Sequence, residues 1–216
     1  EPVVIGTEAP FPAYTYVDEA GEISGFERDI MDEICLRQGL VCTWELANFD
    51  ELIPGVMSGR FDIVLGGMAV TPERQRLVDF TQSYSNSDSE EWYVGRPGAP
   101  DPAHALIGVQ SGTVHEDHAR KLGHRYQSFP TEPQVLQALV EGQVDLAFGP
   151  YNTRLDIEEF VQSNGLDFLY SDMIPDEGVA MAVCLGNSQL LDQLNAALDA
   201  MRADGTLESI ETRWFN

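Results

Sequence analysis

Strand-like and helix-like stretches alternate along the chain, and this alternation limits the possible folds more than any other feature. The stretch Val3 to Thr7 predicts a buried strand. A helix begins at Phe26 and stops at Gly39, with helical spacing of Ile30, Met31, Ile34 and Leu36. The first run continues with a strand Val41–Leu46, a helix capped by Asp50 that runs through Met57 to Gly59, and a strand Asp62–Leu65. Such alternation predicts an α/β fold with a parallel sheet and helices on both faces.

The alternation restarts in the second half of the chain. Strands are predicted at Ile107–Gln110, Tyr126–Phe129 and Val144–Phe148, and helices at Thr113–Leu122 and from a Thr131 cap through Val140. A further strand-like stretch, Val179–Leu185, precedes two predicted helices, Leu190–Met201 and Leu207–Trp214.

Two runs of alternation predict two lobes. The extended segment Ser89 to Val94 and the proline-rich stretch Arg96 to Pro102 mark the first boundary, and Val179 to Leu185 marks the return. We therefore expect residues 1–90 with 183–216 to form lobe 1 and residues 91–182 to form lobe 2. Two strands that cross between two lobes make a hinge, and hinged lobes close on ligands.

The charge excludes several kinds of partner. The chain has 36 Asp and Glu against 12 Lys and Arg, a formal net charge of −24. No basic stripe is available to neutralise nucleic-acid phosphates or to bind an anionic membrane surface. The acidic residues are scattered and form no calcium-binding loop, so they predict a well-solvated surface. No run of 18 apolar residues occurs, and Glu1-Pro2 followed by an apolar run is what we expect of a mature or trimmed chain.

The cysteines and histidines leave alternatives open. Cys35 and Cys42 flank a predicted helix-to-strand turn and fit a disulfide, half of a metal site or unpaired core residues, but no second Cys/His pair completes a zinc site. Cys184 stands in an apolar run and is interpreted as a small core residue. His115 and His118 share one face of a predicted helix, which we interpret as a solvent-exposed face and not a metal site.

The order and spacing of short motifs resemble a known family. The motifs that carry the resemblance are Ile5-Gly6-Thr7-Glu8, Gly21 to Glu27, Phe49 to Pro54, Ser58 to Ile63, Met68 to Arg74, Val78 to Thr81, Gly108 to Thr113, Ala203 to Thr206 and Arg213 to Phe215. In these motifs the chain is similar to the polar-amino-acid class of periplasmic solute-binding proteins of ABC transporters, also described as bacterial extracellular solute-binding proteins of family 3.

The resemblance implies a fold, a location and partners. It implies the type II periplasmic binding fold, in which each of two lobes is a mixed sheet flanked by helices and two hinge strands join them. It also implies a Cys35–Cys42 disulfide like that of the lysine/arginine/ornithine-binding branch, and hence an oxidising compartment. The expected location is the periplasm, or the outer surface of a single-membrane bacterium as a tethered lipoprotein. The expected partners are a small carboxylate-bearing ligand and an ABC-transporter permease, with a monomeric protein and neither cofactor nor metal.

The resemblance also assigns roles to residues. Arg74 matches the arginine that forks onto the ligand carboxylate, and a guanidinium suits that role because it donates two parallel charge-assisted bonds. The matching backbone contacts are Gly67, Met68 and Ala69 in lobe 1 and Gly112, Thr113 and Val114 at a helix start in lobe 2. Aromatic walls match Phe11, Tyr14 and Phe49, and side-chain contacts match Glu8 and Gln110. Tyr151 is expected to contact the ligand when the lobes close. Replacement of Arg74 by alanine is expected to abolish binding with little change in thermal stability.

The pattern breaks at Pro150. Amino-acid binders carry there an aspartate that accepts the ligand's α-ammonium, and proline offers neither a carboxylate nor an N–H. A buried, unpaired ammonium would cost several kcal/mol. The ligand is therefore expected to lack a free primary α-ammonium, as in an opine, an ectoine or a betaine. The alternatives are that Glu8, Tyr151, Asn152 or Glu177 replaces the aspartate, or that the fold serves another role.

Three hypotheses for the function are compatible with this sequence. Ligand binding for import is the leading hypothesis, and the chain is not expected to be an enzyme. The first alternative is an enzyme like cyclohexadienyl or arogenate dehydratase on the same scaffold, which would need a carboxyl of raised pKa facing the ligand; Glu8 and Glu177 are the candidates. The second alternative is the ligand-sensing domain of a receptor. No motif of hydrolytic catalysis is present.

Overall fold

The computed structural model describes residues 1–11, 14–85, 90–151, 155–174 and 177–215. Its strands are β1 (Val3–Thr7), β2 (Tyr16–Val17), β3 (Ile23–Ser24), β4 (Cys42–Leu46), β5 (Ile63–Leu65), β6 (Val78–Phe80), β7 (Glu90–Gly95), β8 (Leu106–Gln110), β9 (Arg125–Phe129), β10 (Leu146–Gly149), β11 (Asp167–Met173) and β12 (Ala182–Cys184). Its helices are α1 (Phe26–Gln38), α2 (Phe49–Ser58), α3 (Pro72–Gln75), α4 (Val114–Lys121), α5 (Glu132–Val140), α6 (Leu155–Ser163), α7 (Ser188–Ala203) and α8 (Thr206–Phe215).

The chain forms two compact units. Residues 1–87 and 176–216 make unit 1, and residues 88–175 make unit 2. The first division falls close to the expected boundary at residue 90, but the return comes earlier than the expected residue 183. Val179 bridges both Ala69 and Ser85, which places the stretch before β12 in unit 1. The chain around both divisions, residues 86–89 and 175–176, lies outside the described residues.

Each unit contains a mixed sheet. In unit 1 the order is β4-β1-β5-β12-β6, with β1 parallel to β4 and β5 and with β12 antiparallel to its neighbours. In unit 2 the order is β11-β7-β10-β8-β9, with β8, β9 and β10 parallel and β7 antiparallel. The predicted α/β class is confirmed, and the antiparallel strands make the sheets mixed, as the resemblance implied.

The helix α1 packs on the sheet of unit 1 through Ile30, Met31 and Ile34, all fully buried. Leu36, which was predicted to share this face, is 76% exposed. It lies two positions beyond Ile34, so the helix turns it away from the core. Gly39 ends the helix with φ of 64°, as predicted. The predicted Cys35–Cys42 disulfide is present and joins the end of α1 to the start of β4.

The start of α2 differs from the prediction. Asn48, not Asp50, is the N-cap, and the Glu51 carboxylate accepts a hydrogen bond from the Asn48 N–H at 2.8 Å. This is the capping-box arrangement, in which the N-cap residue and the residue three positions later each accept a hydrogen bond from the other's backbone N–H. Asp50 therefore lies in the first turn, where a negative charge still favours the helix dipole.

In unit 2 Thr131 caps its helix as predicted, and Thr113, predicted as the first helical residue, is the N-cap of α4. Thr113 precedes α4 and Thr131 precedes α5, and each hydroxyl accepts from a backbone N–H three residues on. The interpretation of His115 as solvent-exposed is wrong: its side chain is buried beside Glu91 and edge-on to Phe148. Glu91 of β7 places a carboxylate oxygen 3.3 Å from Nε2 of this ring. Among the described residues no group of three or more His, Cys, Asp or Glu side chains is placed to hold a metal ion.

Several elements were not predicted from the sequence: the β2–β3 hairpin, α3, β6, α6 and β11. Four of them, β2, β3, α3 and β6, have only two to four residues, and stretches this short give a weak periodic signal. Cys184, interpreted as a core residue, is only partly buried at the end of β12. In the part of the chain that the structure describes, no helix combines the length and apolar character needed to cross a bilayer.

Candidate functional site

The carboxyl ends of adjacent parallel strands gather the predicted ligand residues of unit 1. Thr7, the last residue of β1, pairs with Leu46 of β4 and Leu65 of β5. The segments that leave these strands therefore start at one edge of the sheet, beginning with Glu8, Ala47 and Gly66. Ligands bind in α/β folds at such edges.

Arg74 lies in α3, whose cap is Thr71. Its Nη1 donates to the carbonyl oxygen of Ala69 at 2.7 Å, and its guanidinium carbon lies 5.4 Å from the centre of the Phe49 ring. The side chain is only 6% exposed. Burial lowers the pKa of Arg74 to about 10, against a smaller opposing effect of Glu73. The group is therefore still a cation at neutral pH, and its orientation is set by a carbonyl and an aromatic face.

Glu8 is buried and its Oε2 accepts a hydrogen bond from the Phe49 N–H at 2.9 Å. It therefore places a carboxylate at the start of α2, where the helix dipole favours negative charge. Its carbonyl oxygen accepts from the Thr15 hydroxyl at 2.6 Å. Glu8 thus fixes both the aromatic loop that follows β1 and the helix that carries Phe49; whether it also binds a ligand group stays a prediction.

The aromatic loop presents Phe11 and Tyr14 as a stacked pair, with ring centres 5.1 Å apart. Tyr14 is buried in the core of unit 1 against Phe26 and Phe215, and its hydroxyl lies 3.3 Å from the Ser85 hydroxyl. Phe11 is less buried than Tyr14. Packing in the core explains the burial of Tyr14. Phe11 is the more accessible ring of the pair.

The turn after β5 contains Gly67, Met68 and Ala69. Gly67 has φ of 62°, and a Cβ atom there would overlap the Phe11 ring, so glycine is needed on both grounds. The Met68 side chain is fully buried, and its carbonyl accepts from the Ala180 N–H at 3.1 Å. Met68 is therefore a core residue that anchors the turn through its backbone.

Glu27 is a residue that the sequence analysis missed. It lies in the first turn of α1 with its side chain 1% exposed. Oε1 accepts from the Gly67 N–H at 2.5 Å and Oε2 from the Tyr84 hydroxyl at 2.5 Å. Burial raises the pKa of Glu27 to about 7, and the hydrogen bonds from Tyr84 and the turn limit the rise. The signal was present: Glu27 stands three and seven positions before Ile30 and Ile34 and shares their inward face.

In unit 2 the predicted residues lie at the carboxyl edge of β8, β9 and β10. Gln110 ends β8 and pairs with Phe129 at the end of β9, and its side-chain amide donates to the Pro130 carbonyl at 3.3 Å. The Thr113 hydroxyl donates to the Gln110 carbonyl at 2.7 Å. Gly112 has φ of 80°, and Val114 is the first residue of α4. The predicted helix start is therefore in place beside Gln110.

Tyr151 is buried and donates to Oε1 of Glu132 at 2.6 Å. Glu132, at the start of α5, was not predicted. Its Oε1 lies 3.1 Å from where a Cβ of Gly149 would stand, next to Pro150. Among the proposed replacements for an aspartate at position 150, Glu177 is exposed with Gln75 Nε2 at 3.5 Å, and Asn152 lies outside the described residues. The structure thus places a buried carboxylate of unit 2 near Pro150.

A surface cavity of about 510 Å³ lies elsewhere in unit 1, between α1 and α8, with Asp32, Leu36, Asp204 and Arg213 in its wall. None of the predicted ligand residues lines it. We assign the candidate site to the sheet edges, where the predicted residues converge within each unit, and not to this cavity.

The chain is similar to several known proteins over nearly its whole length. Putative ABC transporter arginine-binding protein 2 of Escherichia coli K12 is 31% identical, over 100% of this chain and 91% of that protein. The L-arginine-binding protein of Pseudomonas aeruginosa is 30% identical, over 100% and 88%. A periplasmic His/Glu/Gln/Arg/opine family-binding protein from Silicibacter pomeroyi, solved in complex with lysine, is 31% identical with a TM-score of 0.89, covering 99% of this chain and 96% of that one.

The fold, with two mixed α/β lobes, is that of the periplasmic binding proteins. The model of the bacterial extracellular solute-binding proteins, family 3, matches residues 3–216. The chain belongs to this family.

Proposed function

We propose that this protein binds a small amino acid or amino-acid derivative through its carboxylate, closes its two lobes on it and delivers it to an ABC-transporter permease. The observation that carries the proposal is the Arg74 guanidinium, which is buried, cationic at neutral pH, and oriented by the Ala69 carbonyl and the Phe49 ring. A buried guanidinium at the carboxyl edge of a parallel sheet suits a carboxylate because it can form two parallel, charge-assisted hydrogen bonds.

Two considerations bear on the ligand class: the first supports a basic amino acid and the second a derivative. Relatives at 30% and 31% identity are named as arginine-binding proteins, and a solved relative holds lysine, which supports a basic amino acid. Pro150 removes the carboxylate that such binders use for the α-ammonium, which supports a derivative such as an opine, an ectoine or a betaine. The buried Glu132 near Pro150 is a carboxylate that favours a cationic ligand nitrogen.

The proposed contacts in unit 1 are Arg74, the backbone of Gly67, Met68 and Ala69, the aromatic residues Phe11, Tyr14 and Phe49, and Glu8. Those in unit 2 are Gln110, Gly112, Thr113, Val114 and Tyr151. The family supports a location outside the cytoplasmic membrane, in the periplasm or on the cell surface. We propose a monomer that acts without a cofactor or metal.

The proposal is tested by thermal-shift screening of the purified protein, followed by calorimetry of each hit. The panel contains arginine, lysine, ornithine and histidine, then opines, ectoine and glycine betaine, with the amide of each carboxylic acid as a matched control. A ligand at 100 times its Kd stabilises the folded state by about 2.7 kcal/mol. Binding of the acid and not of the amide is the expected result. Equal binding of acid and amide would overturn the role of Arg74, and no binding across the panel would overturn the ligand class.

The enzymatic alternative has less support. The relatives named above are binding proteins, and a dehydratase would need a carboxyl of raised pKa that faces its substrate. Glu27 has a raised pKa, but its two oxygens accept from Gly67 and Tyr84 inside unit 1. Incubation with prephenate and arogenate, followed by chromatography, should give no aromatic product. A transmembrane segment in the full-length gene product would favour the sensor-domain alternative.

A further inference from the structure

We propose that Glu27 is a positioning residue of the binding site, which holds the Gly66–Gly67 turn so that the Ala69 carbonyl orients Arg74. This inference rests on the proposed function in one respect, that Arg74 binds a ligand carboxylate. The contacts of Glu27 themselves lie within unit 1. Glu27 belongs to none of the motif positions to which the resemblance assigned a ligand contact.

The burial of Glu27 calls for an explanation. A carboxyl group that is 1% exposed loses its hydration, and burial without hydrogen-bond partners would cost several kcal/mol. Here two donors from different segments converge on it, the Gly67 N–H after β5 and the Tyr84 hydroxyl after β6. The backbone N–H of Glu27 itself donates to the Tyr14 carbonyl at 3.1 Å. One residue of α1 therefore joins the segments after β1 and β5, which carry predicted ligand residues, to the segment after β6.

The turn has little freedom to adopt another position. The Phe11 ring occupies the space where Gly67 would carry a Cβ, so the ring blocks one side of the backbone. On the other side of the turn, the Met68 carbonyl accepts from Ala180. Ala69 follows directly, and its carbonyl is the acceptor for Arg74 Nη1. A change at Glu27 thus reaches the guanidinium through two peptide units.

The ionisation of Glu27 changes what it can hold. An ionised carboxylate accepts from both donors at once, whereas a protonated carboxyl has one oxygen that must also donate. The pKa of Glu27 is about 7, so both forms are populated near neutral pH. The titratable groups that face this carboxyl are Tyr84, which is hydrogen-bonded to it, and Tyr14, which acts on Tyr84; burial and the Glu27 charge keep the pKa of Tyr84 well above its usual value. Glu27 is therefore the group of this cluster that titrates near neutrality.

The first test needs no ligand. In ¹⁵N-labelled protein, the Gly67 amide resonance is followed from pH 5 to pH 9. We expect a titration with a midpoint near the Glu27 pKa in the wild type, no titration in Glu27→Gln, and an upward-shifted midpoint in Tyr84→Phe, which removes a hydrogen bond that lowers the pKa. Tyr16→Phe, which changes a tyrosine packed on Trp214, should leave the midpoint unchanged. A Gly67 resonance that titrates in Glu27→Gln as it does in the wild type would overturn the proposal.

The second test measures binding, with L-arginine as the probe. We expect the affinity of the wild type to rise about fivefold between pH 6 and pH 8, the lower end of ordinary coupling, and the affinity of Glu27→Gln to stay level. Asp62→Asn is the matched control, since Asp62 also accepts a backbone N–H in unit 1, from Val4 at 2.8 Å, but before β5. Equal pH slopes in wild type and Glu27→Gln would overturn the positioning role. If L-arginine does not bind the wild type, arginine is excluded as the ligand while the other members of the panel are not, and the Gly67 titration still decides the role of Glu27.

Discussion

The Nη1 atom of Arg74 donates to the carbonyl oxygen of Ala69, five residues earlier in the chain, at 2.7 Å. The two residues belong to one short segment, the turn after β5 and the helix α3 that follows it. The segment therefore orients its own cation, and the Phe49 ring supports the guanidinium from α2. The binding of a solute to this cation therefore depends on the conformation of the turn as much as on the arginine itself.

Replacement of Arg74 by lysine should weaken carboxylate binding about 10- to 100-fold, because an ammonium keeps the charge but loses the paired donors of the guanidinium. Calorimetry with the best ligand of the panel measures the change. Arg76→Lys, an exposed neighbour, is the control and should bind like the wild type. Undiminished affinity in Arg74→Lys would contradict the two-bond geometry.

We expect replacement of Arg74 by alanine to destabilise the protein as well, whereas the sequence alone predicted little change in thermal stability. The arginine is buried, and its loss deprives the buried Ala69 carbonyl of a donor. The cost of such a loss is about 1 to 3 kcal/mol in the free energy of unfolding. Urea denaturation without ligand measures it, and a midpoint equal to that of the wild type would show that the side chain is less embedded than the structure has it.

Replacement of Gly67 by alanine should destabilise unit 1 more than replacement of Gly59. Both glycines have positive φ, 62° and 84°, so both changes carry the backbone penalty. At Gly59 the new methyl group meets open space, whereas at Gly67 it overlaps the Phe11 ring, which adds about 1 to 3 kcal/mol. Thermal denaturation compares the two. Phe11→Ala in the Gly67→Ala background should recover part of the difference, and an unchanged difference would exclude the ring as its cause.

Glu27 should make the stability depend on pH. Its pKa is about 7 in the folded protein against 4.5 for an exposed glutamate, so between these values the folded state binds a proton that the unfolded state lacks. Its contribution to stability is therefore full below about pH 4.5 and is lost as the pH rises to about 7, by roughly 3 kcal/mol. Glu27→Gln should remove this component. Urea denaturation of both proteins from pH 5 to pH 8 gives the difference, and parallel pH profiles would contradict the raised pKa.

Removal of the disulfide should cost about 2 to 3 kcal/mol in the free energy of unfolding, because it closes a short loop between the end of α1 and β4. The double replacement Cys35→Ser and Cys42→Ser is compared with Cys184→Ser, which removes the partly buried free thiol. Denaturation of the double variant at the same urea concentration as the control would show that the link contributes nothing.

The sequence predicted best the elements in which apolar residues recur with a regular period. The strands and helices with strong apolar periodicity lie close to their expected bounds, and Gly39 and Thr131 end and begin their helices as expected. The predictions failed where one residue had to be chosen among near equivalents, as with Asn48 and Asp50 at α2. They also failed for Leu36 and His115, because periodicity locates a helix face but does not show how far the neighbouring element covers it.

The sequence by itself determined the two runs of α/β alternation and the family, and it proposed Arg74 as the residue that binds a ligand carboxylate. These follow from local preferences and from motif order, both of which are written along the chain. Only the tertiary structure revealed the partners of Glu27 and Glu132, two acids in a chain with 36 of them, although the helical spacing already placed Glu27 on an inward face. Their burial depends on donors from distant segments, Tyr84 and Gly67 for one and Tyr151 for the other, and the folded chain alone brings those atoms together.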